Sequence, residues 1–205
     1  MKTRLYVVRH GESEDNAAGR FGGRRDAALT GRGREEAAAL AEWFRRVAVD
    51  VVGSSPLRRA RETAERIAAG ARLPAHVWPG WEEASFGRWE GLTFAEARAR
   101  EPQAVDAWLQ APLSSRSHGG ESFLDVCARV ARAAEELVRA HRGRRVVLVT
   151  HGGPIRALVA HALGAPPEAA LRLDAAAAGV TVIDWHDGAP VLVGFNCNCA
   201  GHGEE

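Results

Sequence analysis

Five short segments of the chain are almost entirely hydrophobic and rich in the β-branched residues that favour strands. Each is bounded by polar or turn-forming residues, which is typical of strands buried in a sheet. The predicted strands are residues 5–8, 49–53, 146–150, 180–185 and 191–195.

Between these segments, apolar residues recur every three to four positions, which is the period of an amphipathic helix. Thr30 is a suitable N-cap for a helix that runs to about residue 46, and Pro56 opens a second helix. A long helix opened by Glu121 or Ser122 carries an apolar stripe as far as residue 137. The second helix and three further predicted helices span residues 57–69, 94–100, 102–109 and 153–163.

Strands that alternate with helices predict an α/β fold. We expect a three-layer sandwich, with a mostly parallel central sheet and helices on both faces. Residues 184–188 (DWHDG) join the last two predicted strands as a hairpin would, so we expect one antiparallel edge strand. No linker or repeat divides the chain. We predict a single domain over residues 1–196 and a flexible C-terminal tail over residues 197–205.

Composition narrows the classes of function. The 205 residues suffice for a sizeable core, and their formal net charge of +1 argues against a broad nucleic-acid interface. No apolar run approaches the ~20 residues of a membrane span, and no signal-peptide pattern opens the chain. We expect a cytoplasmic protein with neither a nucleic-acid nor a membrane partner, and the sequence is also compatible with a homodimer.

The cysteines do not indicate a disulfide framework or a metal site. There are three, Cys127, Cys197 and Cys199. Residues 197–202 (CNCAGH) offer two thiols and an imidazole. However, the cysteines are separated by one residue rather than two to four, and no fourth ligand is nearby. We expect no bound metal.

Two predicted strands end in similar chemistry. Arg9, His10 and Gly11 follow the first strand, and His151 and Gly152 follow the third. Ligands of α/β sheets bind at the carboxyl ends of the strands, so the two imidazoles converge if these strands are neighbours. The helix that begins at the glycines offers backbone N–H groups to an anion, and Arg9 offers a bidentate guanidinium. We predict a pocket for a phosphate dianion. The motifs of nucleoside triphosphate and dinucleotide sites are absent.

Residues 54–64 (SSPLRRARETA) follow the second predicted strand and enter a helix, so their first turn faces the same crevice. Arg58 and Arg59 are adjacent and point in different directions on a helix. Only one of them can therefore reach the pocket.

Residues 81–91 (WEEASFGRWEG) form a glycine-punctuated loop with acidic residues among aromatic ones. Aromatic walls can hold a carboxylic acid of this loop protonated near neutral pH. A solvated acidic loop is the alternative.

The chain also contains six motifs in a fixed order: RHGES, LTGRGREEA, SSPLRRARETA, EEASFGRWEG, HGGES and VTHGG. Together they resemble the histidine phosphatase superfamily, which contains the cofactor-dependent phosphoglycerate mutases and related phosphatases. The resemblance covers nearly the whole chain. It implies that His10 becomes a phosphohistidine, that Arg9 and Arg59 hold the phosphoryl oxygens, that His151 is the second pocket histidine, and that Glu83 donates the proton.

The same resemblance places Asn16 near the pocket, and Gly152 supplies the helix start that would contact the phosphate. Arg58 and Glu82 fall one position off the family pattern and are expected to be solvated. Hydrolysis through a phosphohistidine needs neither a metal nor another cofactor, so we expect none.

The resemblance leaves three functions open. The stretch from residue 91 to residue 119 is short and lacks an adjacent arginine pair, and Phe86 stands where mutases commonly carry tyrosine. These departures favour a metal-independent phosphomonoesterase that acts on a small phosphorylated substrate, such as a sugar phosphate. A cofactor-dependent phosphoglycerate mutase and a catalytically weak module that binds a phosphorylated ligand are the alternatives.

Specificity is expected to reside in residues 111–120 (APLSSRSHGG) and in the aromatic loop. His118, in the first of these segments, is expected at the surface. Four aromatic residues could stack on a substrate or belong to the core, and we place at least two in the core: Trp81, Phe86, Trp89 and Trp108.

Overall fold

The computed structural model describes residues 1–116 and 118–198. Six strands form one sheet in the order β3–β2–β4–β1–β5–β6. They are β1 (Lys2–Arg9), β2 (Val51–Ser54), β3 (Ala75–Val77), β4 (Arg145–Thr150), β5 (Val180–His186) and β6 (Ala189–Cys197).

Helices fill most of the connections between the strands. They are α1 (Glu14–Ala17), α2 (Gly31–Phe44), α3 (Arg58–Ala71), α4 (Phe94–Arg100), α5 (Pro102–Gln110), α6 (Phe123–Ala140) and α7 (Gly152–Ala162), with 3-10 turns at Gly87–Trp89 and Pro167–Arg172. The predicted cap is confirmed at Thr30, whose hydroxyl accepts the Gly33 N–H at 3.0 Å. Of the two candidate caps of α6, Ser122 is the one used, in a capping box with Asp125.

The predicted α/β fold and its antiparallel edge are confirmed. β1, β2, β3 and β4 are parallel, whereas β5 pairs antiparallel with both β1 and β6. The reversed strand is therefore β5, one position in from the edge. Asp187 and Gly188 both have positive φ values, 49° and 98°, which suits the tight turn of a two-residue hairpin.

The two faces of the sheet are both covered, as in a three-layer sandwich. Leu5 and Val7 of β1 pack into a core with α6 and α7, whereas Tyr6 and Val8 pack into a second core with α2 and α3. Successive residues of a strand point to opposite faces, so a strand buried on both faces is hydrophobic throughout. This explains why the central strands show continuous apolar runs.

Four elements have no counterpart among the predicted ones: α1, β3 and the 3-10 turns at Gly87–Trp89 and Pro167–Arg172. All three residues of β3 are exposed, so the strand has no buried face to produce a hydrophobic pattern. At the other end of the sheet, β6 extends to Cys197. Residues 199–205 of the predicted tail lie outside the described residues. None of the described helices combines the length and the apolar character needed to cross a bilayer.

Candidate active site

The two histidines predicted at strand ends lie side by side. β1 and β4 are neighbouring parallel strands whose register pairs Arg9 with Thr150, so the residues that follow them meet at one edge. The N–H of His10 donates to the carbonyl oxygen of Thr150 at 3.0 Å, which extends this pairing by one residue. The ring centroids of His10 and His151 are 5.0 Å apart, and both side chains are buried. The predicted convergence is confirmed.

Hydrogen bonds define the tautomer of His10. Its Nδ1 lies 2.7 Å from the carbonyl oxygen of Gly11, which can only accept, so Nδ1 carries the proton. Its Nε2 accepts from the Nε–H of Arg59 at 3.1 Å. Burial, followed by the charges of Arg59 and Arg9, lowers the pKa of His10 well below its ordinary value of 6.5. His10 is therefore neutral, with its lone pair on Nε2.

Thr63, on α3, holds the loop that contains this histidine. Its hydroxyl accepts the N–H of Gly11 at 3.2 Å and donates to the carbonyl oxygen of Arg59 at 2.8 Å. Gly11 has no room for a side chain, since a Cβ there would clash with the backbone of Gly33. The sequence prediction missed Thr63, although its position one helical turn after Arg59 places both residues on the same face of α3.

The adjacent arginines of α3 differ as expected. Arg59 is buried, and its two terminal nitrogens donate to the carbonyl oxygens of Arg25 and Gly23 at 2.7 and 2.8 Å. Arg58 is exposed and pairs with Glu62 at 2.6 Å. The structure brings only Arg59 to His10, because the first turn of α3 points that side chain toward the ends of β1 and β4.

Arg9 and His151 each keep a buried atom without a partner. Nη1 of Arg9 donates to the carbonyl oxygen of Ala175 at 2.5 Å, whereas its buried Nε has no partner among the described residues. Nε2 of His151 lies 2.8 Å from the hydroxyl of Ser55, whereas its buried Nδ1 is likewise unpaired. Burial and then the charge of Arg59 lower the pKa of His151 well below its ordinary value. Ser55, which orients this ring, was not predicted. It directly follows β2, and this position at a strand end could have identified it.

These unpaired atoms bear on ligand binding. In the described part of the chain, three buried side-chain polar atoms lack a hydrogen-bond partner, and two of them are Arg9 Nε and His151 Nδ1. Leaving such an atom unsatisfied costs about 1–3 kcal/mol. When Nε2 of His151 accepts from the hydroxyl of Ser55, Nδ1 carries the proton and is a free donor like Nε of Arg9. Two free donors beside a neutral imidazole indicate a position for a ligand rich in acceptor oxygens.

Glu83 lies at the N-terminus of α7. The N–H of Gly153 donates to both of its carboxylate oxygens, at 3.1 and 3.2 Å, and the N–H of Ala84 donates to Oε1 at 2.8 Å. A Cβ built on Gly152 would lie 3.8 Å from Nε of Arg9 and 3.9 Å from Oε2 of Glu83. Gly152 therefore stands between the predicted phosphate-binding arginine and the predicted acid.

Two other expectations concern Glu82 and Asn16. Glu82 is only half-buried, and its Oε2 accepts the N–H of Gly80 at 2.9 Å. Asn16 is exposed, and its Oδ1 accepts from the N–H and the hydroxyl of Ser13 at 3.2 and 2.9 Å. The structure thus gives Asn16 a local role in capping α1.

A cleft of about 260 Å³ opens beside Glu83, and we call it the aromatic cleft. Trp81 and Trp89 are buried in the core, which confirms that at least two of the four aromatic residues belong there. Phe86 and Trp108, the other two, line the aromatic cleft and are half-buried. The cleft is lined by Glu83, Ala84, Phe86, Trp108, Pro112, His118, Glu121, Phe123, Gly153, Arg156 and Leu171.

The predicted surface position of His118 is wrong. Only 1% of this residue is exposed, and its ring packs 5.2 Å from that of Trp89 and 5.7 Å from that of Phe86, measured between centroids. Its Nδ1 accepts the N–H of Gly120 at 3.0 Å, so the polar atom is satisfied within the turn. Burial lowers its pKa. The polar composition of residues 111–120 concealed this inward-facing ring.

No group of three or more histidine, cysteine, aspartate or glutamate side chains within residues 1–116 and 118–198 is arranged to hold a metal ion. Cys197 belongs to β6, whereas Cys199 and His202 of the segment considered as a metal site lie outside the described residues.

Comparison with known proteins gives a consistent result. The model of the histidine phosphatase superfamily (branch 1) matches residues 5–198. A bifunctional protein of Mycobacterium tuberculosis is 38% identical over 189 residues, which cover 91% of this chain and 52% of that protein. The chain thus spans about half the length of the first curated relatives that it matches.

Two further relatives match over most of their own length. Phosphoserine phosphatase 1 of Hydrogenobacter thermophilus is 33% identical over 196 residues, which cover 96% of this chain and 93% of that protein. The crystal structure of the alpha-ribazole phosphatase of Shigella flexneri superimposes with a TM-score of 0.90 at 28% identity, and the match covers 98% of this chain and all of that one.

Proposed function

Because the chain belongs to the histidine phosphatase superfamily, we propose that it is a metal-independent phosphomonoesterase that acts on small phosphorylated metabolites through a phosphohistidine. One observation carries the proposal. A neutral, buried His10 with its lone pair on Nε2 lies beside two unpaired polar atoms, Arg9 Nε and His151 Nδ1. The relatives named as phosphoserine and alpha-ribazole phosphatases support a small phosphorylated substrate.

In the first step, Nε2 of His10 attacks the phosphorus atom. A nitrogen–phosphorus bond forms as the ester bond to the leaving oxygen breaks, and Glu83 in its acid form protonates that oxygen. The phosphoryl oxygens displace Nε2 as acceptor of the Arg59 Nε–H, which frees the lone pair for attack. Arg9, Arg59 and the N-terminus of α7 stabilise the charge of the transition state. A neutral imidazole avoids the repulsion that an anionic nucleophile meets at a phosphate dianion.

In the second step, water attacks the phosphohistidine. Glu83, now a carboxylate, takes a proton from this water, and the bond between Nε2 and phosphorus breaks. Inorganic phosphate leaves, and both His10 and the acid form of Glu83 are regenerated. The same carboxyl group thus serves once as acid and once as base, which its place beside Gly153, in the lining of the aromatic cleft, supports.

The arginines of residues 91–119 support hydrolysis rather than mutase chemistry. A mutase must hold a second phosphate or carboxylate of its bisphosphate cofactor. Arg98 and Arg116 each pair with a carboxylate, Asp106 and Asp125, at 2.9 and 2.5 Å. Both of these arginines and the third one in this stretch, Arg100, are exposed, and none of the three lines the aromatic cleft.

The test is phosphate release from p-nitrophenyl phosphate by the purified protein in the presence of EDTA. We expect turnover in the wild type, essentially none in His10→Ala, and wild-type turnover in His161→Ala, which removes an exposed histidine of α7. An acid-labile label from radioactive substrate should appear on the wild type and be absent from His10→Ala. Equal activity in wild type and His10→Ala, or activity that requires added metal, would overturn the proposal.

A further inference from the structure

Strand β6, at the edge of the sheet, carries a bulge near its end. Its register against β5 shifts there, so that Phe195 and Asn196 of β6 stand opposite Thr181 of β5 alone. Asn196 has a positive φ of 53°, and its backbone N–H donates to the buried hydroxyl of Thr181 at 3.3 Å. Asparagine adopts this conformation more readily than most residues. Bulges of this kind redirect a side chain and are frequent beside active sites.

The redirected side chain of Asn196 contacts the segment that precedes β5. Its Oδ1 accepts the backbone N–H of Ala176 at 2.9 Å. Gly179 leaves room for this contact, because a Cβ there would clash with the same oxygen. A backbone N–H can only donate, so the contact requires an acceptor oxygen at position 196. It ties the edge strand to residues 175–179.

Residues 175–179 in turn hold the first strand of the phosphoryl site. The carbonyl oxygen of Ala175 accepts from Nη1 of Arg9 at 2.5 Å. The N–H of Ala178 donates to the carbonyl oxygens of Arg9 and His10 at 3.1 and 3.3 Å, and the N–H of Arg9 donates back to the last residue of the segment at 3.1 Å. Arg9 is therefore held both at its backbone and at its guanidinium.

The conformation of this segment depends on support from its surroundings. Ala178 has a positive φ of 56° and no polar side chain with which to stabilise it locally. The peptide groups of Ala176 supply the support. Its N–H is bound by Asn196, and its carbonyl oxygen accepts the N–H of Gly179 at 3.0 Å. Removal of the Asn196 oxygen would leave one side of this turn unanchored.

We propose that Asn196 is a positioning residue of the phosphoryl site. It holds residues 175–179 so that Ala175 anchors one nitrogen of the planar Arg9 guanidinium, and this anchor aims the Nε–H at the phosphoryl group. The Nε atom is buried and has no partner among the described residues, as a donor kept for a ligand would be. The inference rests on the proposed phosphatase function. Asn196 itself contacts neither the substrate nor the reacting atoms.

Two substitutions separate the side chain of Asn196 from its backbone conformation. Asn196→Gly accepts a positive φ without cost but removes the acceptor oxygen. Its kcat/KM for p-nitrophenyl phosphate should fall about 10- to 100-fold, the range expected when a catalytic group is misplaced by a distant change. Asn196→Asp keeps an acceptor oxygen and adopts the same backbone conformation, so it should retain most of the activity.

A double-mutant cycle with Arg9→Met tests whether Asn196 acts through Arg9. If it does, adding Asn196→Gly to Arg9→Met should lower kcat/KM by less than about threefold, because the guanidinium to be positioned is already gone. Asp187→Gly is the control. It removes an exposed side chain with a similar φ, 49°, from the other end of the same hairpin and should match the wild type.

Four results would overturn the proposal: wild-type kinetics in Asn196→Gly, an equal loss in Asn196→Asp, fully additive losses in the cycle, or a fall in melting temperature that by itself accounts for the lost activity. Failure of the proposed function is distinct, because the wild type would then hydrolyse no ester. Even so, calorimetric binding of inorganic phosphate measures the placement of Arg9 without turnover. The wild type should bind it about tenfold more tightly than Asn196→Gly, and equal affinities would contradict the inference.

Discussion

The phosphoryl pocket, formed by Arg9, His10, Arg59 and His151, differs in construction from the aromatic cleft beside it. The pocket residues end or directly follow two paired strands or lie in the first turn of α3, and the histidines and Arg59 are buried. The cleft is lined by loops and by the sides of α5, α6 and α7, and most of its side chains are half-buried. Backbone register thus determines the position of the reacting groups, whereas loop packing determines what lies next to them. The first region suits chemistry common to all substrates, and the second suits selection among them.

The largest expected effect comes from breaking the pocket at Arg59. Arg59→Met removes a guanidinium that contacts Nε2 of His10, and kcat should fall about 10³-fold for every ester, as when an oxyanion-stabilising donor is lost. The adjacent Arg58→Met is the control and should retain activity, since Arg58 is exposed and paired with Glu62. Circular dichroism of both variants checks the fold. If kcat fell for only one class of substrate, Arg59 would act in substrate selection, as the cleft residues do.

Glu83→Gln tests a residue that lines the aromatic cleft but takes part in the chemistry of the phosphoryl pocket. For alkyl phosphates, whose leaving oxygen needs a proton, kcat/KM should fall about 10²- to 10⁴-fold. For p-nitrophenyl phosphate, whose leaving group is stable as an anion, the fall should be much smaller. The parameter kcat/KM is the appropriate one, because it reports the steps up to phosphohistidine formation. Equal losses on both kinds of ester would remove Glu83 from the role of proton donor.

The buried histidines should make stability depend on pH. The pKa values of His10 and His151 are lowered on folding, so the unfolded chain binds protons that the native protein does not. Stability should therefore be constant above about pH 7.5 and fall below about 6.5, by up to ~1.4 kcal/mol per pH unit for each histidine. Urea unfolding at pH 7.5, 6.5 and 5.5 should show a shallower slope for His151→Gln, whereas the exposed His161→Gln should match the wild type. Identical slopes in all three would contradict the prediction.

The smallest effect concerns the cleft. His118→Phe keeps an aromatic ring but leaves the N–H of Gly120 without its acceptor, which should lower the free energy of unfolding by about 1 kcal/mol. Because His118 lines the cleft, KM should change more than kcat. His118→Asn, which can accept the same hydrogen bond, should recover part of the stability. A large loss of kcat with unchanged KM would mean that the two regions are not separable.

The difference between the phosphoryl pocket and the aromatic cleft also explains which site residues could be predicted from the sequence. The pairing of His10 with His151 follows from the strand ends, and helical geometry allows only one of Arg58 and Arg59 to reach the pocket. The choice of Arg59 came from the resemblance to the family. Thr63 and Ser55 sit on the same elements and could have been found by the same reasoning. The position of His118 depends on how the loops close over Phe86, and no local pattern encodes that packing.

Within the fold, prediction succeeded where a buried face produced a pattern. All five predicted strands exist within a few residues of their expected ends, because each is apolar on at least one face. β3 was missed because it is short and exposed, and its place in the sheet rests on backbone pairing with β2. A segment held by main-chain hydrogen bonds alone leaves little trace in side-chain composition.

The position of β1 in the sheet has a consequence for the order in which the site can be assembled. β1 carries His10 and precedes the other five strands in the sequence, yet both of its neighbours come much later: Leu5 pairs with Val146 of β4 and with Ile183 of β5. Such distant pairings carry a large loop-closure entropy and slow folding. A nascent chain that ends before β4 therefore holds an unpaired apolar strand and no second histidine. The nucleophile is therefore synthesised before β4 and β5, and its pocket is complete only after both strands have paired with β1.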